Sequence, residues 1–169
     1  MDFAKSREYI VAHRLETIDN MCRFLQTDTL LFWSDNEALF EYQKKHWQPV
    51  LDMLNAVFKL DLQTTTGLTP PDNKHVVHEF SRCLNNMSDN ELTGCFLAAS
   101  EMKSVLLGLL LAKKEISASE AFKNAFLEEL FQNQSWGEDF AAVEAREITK
   151  KHLEQIEGYL KNDGTMLKN

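Results

Sequence analysis

From Cys95 to Ala112 the chain carries a run so dense in leucine, alanine and other apolar residues that no single face of a helix can hold it. A helix apolar on nearly every side belongs at the centre of a fold, covered by its neighbours. Ser88 and Glu91 mark its start, because a capping serine and a glutamate three residues on satisfy each other's backbone N–H groups. Lys113 and Lys114 mark its end, where positive charge suits the carbonyl pole of the helix dipole. The expectation is one central helix over 88–114. A membrane span is the competing reading, and Glu101, Lys103 and two serines argue against it in a run already short for a bilayer. Glu101 and Lys103 stand two positions apart and cannot pair on one helix, so each needs its own partner or water.

The rest of the chain supplies the cover. Ile10, Ile18, Met21, Cys22 and Leu25 recur at helical spacing over 3–25, and Thr27 to Trp33 reads as a buried connector. Ser34 and Glu37 have capping-box spacing and open a helix from Asn36 to about His46. Pro49 suits the first turn of a second helix to Phe58, with a kink at Trp47 and Gln48. Residues 60–73, with Gly67 and the Pro70–Pro71 pair, form the main loop, and a helix over 75–84 follows. Ser117 and Glu120 open a further helix whose stripe is Ala121, Phe122, Ala125, Phe126 and Leu130. Gly137 interrupts it. The last helix, from about Asp139 to Leu160, is expected to turn Phe140, Val143, Ile148, Ile156 and Leu160 inward. The class is all-α: a single-domain helical bundle over 1–161 with a frayed tail at 162–169, and a short extended piece near 27–33 or 60–62. At 169 residues the chain is long enough for one such core.

Composition narrows the chemistry. A net charge of -8 disfavours binding to a phosphate backbone, so no nucleic-acid partner is expected. Cys22, Cys83 and Cys95 lie far apart and read as small core hydrophobes of a reducing compartment. The first twenty residues mix acids with bases and show no targeting segment. His75, His78 and Glu79 have a spacing that brings two imidazoles to one metal, but no fourth ligand cluster joins them, and solvated histidines are the better reading. Glycine-rich phosphate loops and nucleophile elbows are absent, so neither enzyme, metal nor cofactor is expected.

The segment that stands out is Phe126 to Asp139, where the pairs Glu128–Glu129 and Glu138–Asp139 bracket Phe131, Gln132, Trp136 and Gly137. Carboxylates around aromatic rings beside a helix break suit an interface anchor with a charged rim. Glu128 lies about 100° round from Leu127 and is expected to project to that rim. Trp136 is either core or anchor.

Those residues, Leu127, Glu128, Glu129, Phe131, Gln132, Trp136, Gly137, Glu138 and Asp139, resemble the signature of the assembly chaperones for the alpha subunit of the ATP synthase catalytic head. Phe24 to Trp33 is similar to the family's Tyr-Leu-x-Thr-Asp-Thr block, and Leu39, Gln43, Trp47, Pro49 and Leu51 fall at its Leu-x3-Gln-x3-Trp-x-Pro-x-Leu spacing. Lys103 and Ser104 sit where the family has a small polar pair. Gln48, where aspartate is usual, and Leu130, where another acid is usual, depart from the pattern. The resemblance implies an ATP-independent chaperone that holds free alpha subunit until the beta subunit replaces it. It also implies a family domain, small and β-rich, that this chain lacks, and a setting in the mitochondrial matrix or the cytoplasm of an alphaproteobacterium. The expected protein is a monomer without membrane insertion that contacts its client through the acidic–aromatic segment. A permanent helical subunit of a larger mitochondrial complex is the alternative.

Overall fold

The apolar run folds as two helices rather than one. In the computed structural model, which describes residues 1–137 and 139–162 without the side chains of Ser135 and Trp136, α5 (Asp89–Met102) ends at Lys103 and α6 (Val105–Ala112) begins after Ser104. Lys103 is left-handed, with φ 54°, and Ser104 is extended, so the expected continuous helix over 88–114 is broken in its middle. A local cap supports the break. The Ser104 hydroxyl accepts from the Leu107 N–H at 3.1 Å, a cap that competes with continuing the helix.

α6 then folds back along α5. A Cβ at Gly108 would lie 2.8 Å from the Cys95 carbonyl oxygen, a distance that only glycine allows, and Lys113 Nζ reaches Glu91 Oε2 at 2.9 Å. Every residue of α6 is buried. The two capping boxes at Ser88–Glu91 and Ser117–Glu120 form as the spacing predicts.

Around this hairpin lie α1 (Phe3–Ala12) and α2 (Arg14–Phe24), separated at His13 where one helix was expected. Arg14 explains part of this arrangement. Its guanidinium donates to the carbonyl of Asn85 at 3.2 Å, the last residue of α4 (Lys74–Asn85), to that of Met87 just beyond at 2.6 Å, and to Asp89 at 2.9 Å in the first turn of α5. One side chain thus ties three elements.

α3 (Glu37–Phe58) runs unbroken through Pro49, where two helices with a kink were expected. Pro49 and Lys45, whose carbonyl loses its helical donor, are both exposed, so water can serve that carbonyl while Trp47, Val50, Leu51 and Leu54 hold the inner face. Its cap is Asn36, which accepts from Leu39 N–H at 3.1 Å; Ser34 instead accepts from Asn36 N–H, so the predicted Ser34–Glu37 box does not form.

Residues 59–73 are loop, closed by Asn73, which bonds both backbone groups of Gln63. The extended contact joins Phe32 and Thr65 in an isolated parallel bridge rather than residues 60–62. A second break falls at Phe126, between α7 (Ala118–Ala125) and α8 (Leu127–Trp136).

The last helix, α9 (Phe140–Lys161), buries Arg146, Leu153, Ile156, Tyr159 and Leu160. Phe140 is 81% exposed and Ile148 51%, against expectation, because both lie roughly 120–160° round the helix from Leu153 and Leu160. Among the described residues there is no sheet, and the domain is all-α as the periodicity predicts. Residues 163–169, most of the expected tail, lie outside the described residues.

Candidate partner-binding surface

The acidic–aromatic segment is held against α3. Trp47 Nε1 donates to the Asn124 carbonyl at 3.0 Å, and the Tyr42 and Phe131 rings approach to 5.1 Å. Gln43 is fully buried. Its Oε1 accepts from Ser34 N–H at 2.7 Å and its Nε2 donates to Glu128 Oε1 at 2.7 Å, so both ends of the amide are satisfied. Glu128 is therefore half-buried and turned partly inward, a placement that its angle from Leu127 did not reveal. Burial raises its carboxyl above the usual range, against the opposing pull of the Gln43 hydrogen bond.

Glu129 points the other way. Its carboxylate is about half exposed and accepts from Arg146 Nη1 at 3.2 Å, while the Arg146 side chain is nearly buried. Arg146 thereby fastens α9 to α8, and with the Asn133 amide turned to satisfy both its atoms, Nη2 also donates to Asn133 at 2.9 Å. An arginine buried in a thin apolar stripe is a signal for such a partner, because an unpaired charge there costs several kcal/mol, on the order of the domain's whole stability margin.

Beyond these, Phe131 is half-buried, and Gln132, Gly137 and Asp139 are exposed. Gly137 has φ 79° and ψ 173°, a backbone region that side chains do not tolerate, which explains why glycine ends α8. Asp139 accepts from Ala141 N–H at 3.3 Å and caps α9. Glu138 and the Trp136 side chain lie outside the described residues. Of the motif residues, Glu129, Gln132 and Asp139 are thus exposed, and Glu128 and Phe131 are half-buried.

A second cluster joins the other two motif blocks. Asp28, 1% exposed, accepts from Leu30 N–H and Leu106 N–H at 3.0 Å each and from the Ser104 hydroxyl at 2.9 and 3.0 Å. Burial pushes its carboxyl from the usual 3.8 up to about 6, less than desolvation alone would do because these donors favour the ionised form. Sequence reading passed over this role. The signal was an acid inside a run whose neighbours Leu25, Leu30 and Leu31 are all buried, a position that demands donors.

The remaining candidates are accounted for by ordinary contacts. His75 Nε2 meets the Asp61 carbonyl at 2.7 Å, and Glu79 accepts from Arg82 at 2.7 Å. Cys95 is buried and its thiol is raised by desolvation, which removes it as a nucleophile; Cys22 and Cys83 are half-buried and raised too, again chiefly by burial. Glu101 finds His152 Nδ1 at 2.6 Å, and Lys103 is exposed. No described helix is long and apolar enough to cross a membrane.

The four motif blocks meet in two pairs: Gln43 bonds Glu128, and Ser104 bonds Asp28. Residues 1–55 match the family described as ATP12 chaperone protein. The crystal structure of Atp12 from Paracoccus denitrificans has a TM-score of 0.85 at 22% identity, covering 92% of this chain and 68% of that one. The Atu1473 protein from Agrobacterium tumefaciens has a TM-score of 0.80 at 26% identity, covering 89% of this chain and 57% of that one. The chain thus shares the helical fold of the Atp12 crystal structure over nearly its whole length. The family model matched over residues 1–55 is the one that the motif blocks resemble.

Proposed function

We propose that this chain is an ATP-independent assembly chaperone that binds free ATP synthase alpha subunit and keeps it from aggregating until the beta subunit takes its place. The observation that carries the reading is the Gln43–Glu128 hydrogen bond of 2.7 Å, which joins two motif blocks 85 residues apart in the sequence. The contact lies beneath the acidic–aromatic segment, whose Glu129, Gln132 and Asp139 face water.

The physics of such a holder is simple. An obligate subunit interface is apolar enough that the unpaired subunit self-associates. A holder must cover part of it yet release it to the proper partner, which suits a polar, charged rim around few apolar anchors. Client contact is assigned to Glu129, Gln132 and Asp139, with Glu128, Phe131 and Gly137 shaping the floor; Trp136 and Glu138 complete the motif. No catalytic step is assigned, and the family's character as chaperones agrees with that. The setting that fits is wherever ATP synthase is assembled, the mitochondrial matrix or the cytoplasm of an alphaproteobacterium. Domain limits of 1–161 belong to the same proposal.

Light scattering from purified alpha subunit diluted out of denaturant tests it. Stoichiometric chain, with a family β domain fused in a parallel arm, should suppress the scattering. Unchanged scattering in both arms would sink the proposal.

A further inference from the structure

Away from the acidic–aromatic surface, a half-open cavity of about 480 Å³ lies between α2, the turn after it, α5 and the start of α6. Met21, Phe24, Phe96, Ala99 and Val105 make its wall apolar. Three hydroxyls also line it, and each is already engaged within the chain. Thr27 faces the Phe24 carbonyl, Ser100 donates to the Phe96 carbonyl at 2.9 Å, and Ser104 serves Asp28 and the Leu107 N–H. What remains for recognition is one charge. Lys103 is the only ionisable residue of the lining, is exposed, and its ammonium makes no ion pair or hydrogen bond among the described residues.

The backbone that carries this lysine is fixed. Its left-handed conformation stands at the α5–α6 break, its carbonyl accepts from Thr29 Oγ1 at 3.1 Å, and the next residue is locked by the buried Asp28 carboxyl. A cation held beside an apolar hollow loses less on binding than one on a floppy loop. Phe24 forms the lip and is 63% exposed, apolar area that an occupant would cover.

We propose that this cavity is a docking socket for an extended polypeptide segment in which a large apolar side chain adjoins a carboxylate. The side chain enters the hollow against Met21 and Phe96, and the carboxylate pairs with Lys103. A single charge suffices because the other polar groups of the lining are engaged internally. That the occupant is a protein segment rests on the chaperone reading; the demand for an apolar body with one negative charge rests on the cavity alone.

The test is fluorescence anisotropy of the full chain with two labelled peptides, Gly-Ser-Leu-Phe-Asp-Gly-Ser and its counterpart with lysine in place of aspartate. The acidic peptide should bind about five-fold or more tightly than the basic one, the scale of a pair half withdrawn from water. Lys103→Glu, which keeps the same backbone demand, should reverse that order while melting temperature stays put. Phe24→Ser should weaken both. An order unchanged by Lys103→Glu, or binding of neither peptide, overturns the proposal, as does Lys103-dependent binding of decanoate alone, which would make the occupant a small amphiphile. Failure here is separable from failure of the function. A chain that holds alpha subunit but takes neither peptide refutes the socket, whereas one that takes the acidic peptide but not alpha subunit refutes the client.

Discussion

Asp28→Asn should change not only how stable the domain is but how its stability depends on pH. In the wild type both carboxyl oxygens accept backbone N–H groups, one from Leu30 and one from Leu106, and the Ser104 hydroxyl lies within 3.0 Å of both. A neutral Asp28 keeps all of this, because its proton can be donated to Ser104. An asparagine keeps one carbonyl oxygen and turns an NH2 toward the other backbone donor. One buried amide is left without an acceptor, at a cost of about 1–3 kcal/mol.

The ionised wild type carries a different burden. Its carboxyl is raised from 3.8 in the open chain to about 6 in the fold, so the group's contribution is fully present below pH 3.8 and is lost as pH rises through 6. That difference corresponds to about 3 kcal/mol. The variant has no such loss. At pH 4 it should therefore be less stable by about 1–3 kcal/mol, roughly 2–12 °C in melting temperature, and by pH 7.5 the gap should close or invert. Urea unfolding of both proteins from pH 4 to pH 8 reads this directly, since every other titrating group is common to both and cancels in the difference. A gap that stays constant across the window would refute the reasoning.

Two other substitutions probe the frame. Gly108→Ala forces a methyl to within 2.8 Å of the Cys95 carbonyl oxygen and should cost about 1–3 kcal/mol in urea unfolding; an unchanged midpoint would mean that α5 and α6 are not so closely packed. Glu128→Lys removes the acceptor of the buried Gln43 amide and should cost about 1–3 kcal/mol, more than a surface change, whereas Glu128→Gln, which keeps a carbonyl oxygen there, should be nearly neutral. Equal melting temperatures for the two Glu128 variants would show that the Gln43 contact carries no weight.

Helical periodicity and caps made most of the fold legible. The boxes at Ser88 and Ser117 and the all-apolar character of α6 point to the right places. What periodicity cannot show is where a tertiary partner competes with helix continuation. Lys103 and Ser104 look like two more helical residues until Asp28, 76 residues away from Ser104, supplies the carboxylate that satisfies the break. Phe140 and Ile148 lie outside for a related reason: α9 has two apolar faces, and the one carrying Leu153, Ile156 and Leu160 is the one that turns inward. In the acidic–aromatic segment the residues were legible from their pattern, but Glu128 was read as rim because its partner, Gln43, lies in another helix.

The proposed role is a temporary hold on alpha subunit. Its most direct test is to form a complex of the chain with isolated ATP synthase alpha subunit, add purified beta subunit, and follow both by size-exclusion chromatography. The account predicts a chain–alpha complex that dissolves as alpha–beta assemblies appear, leaving the chain free and absent from the finished assembly. No initial complex, or a chain that stays with alpha and beta in fixed ratio, would contradict it.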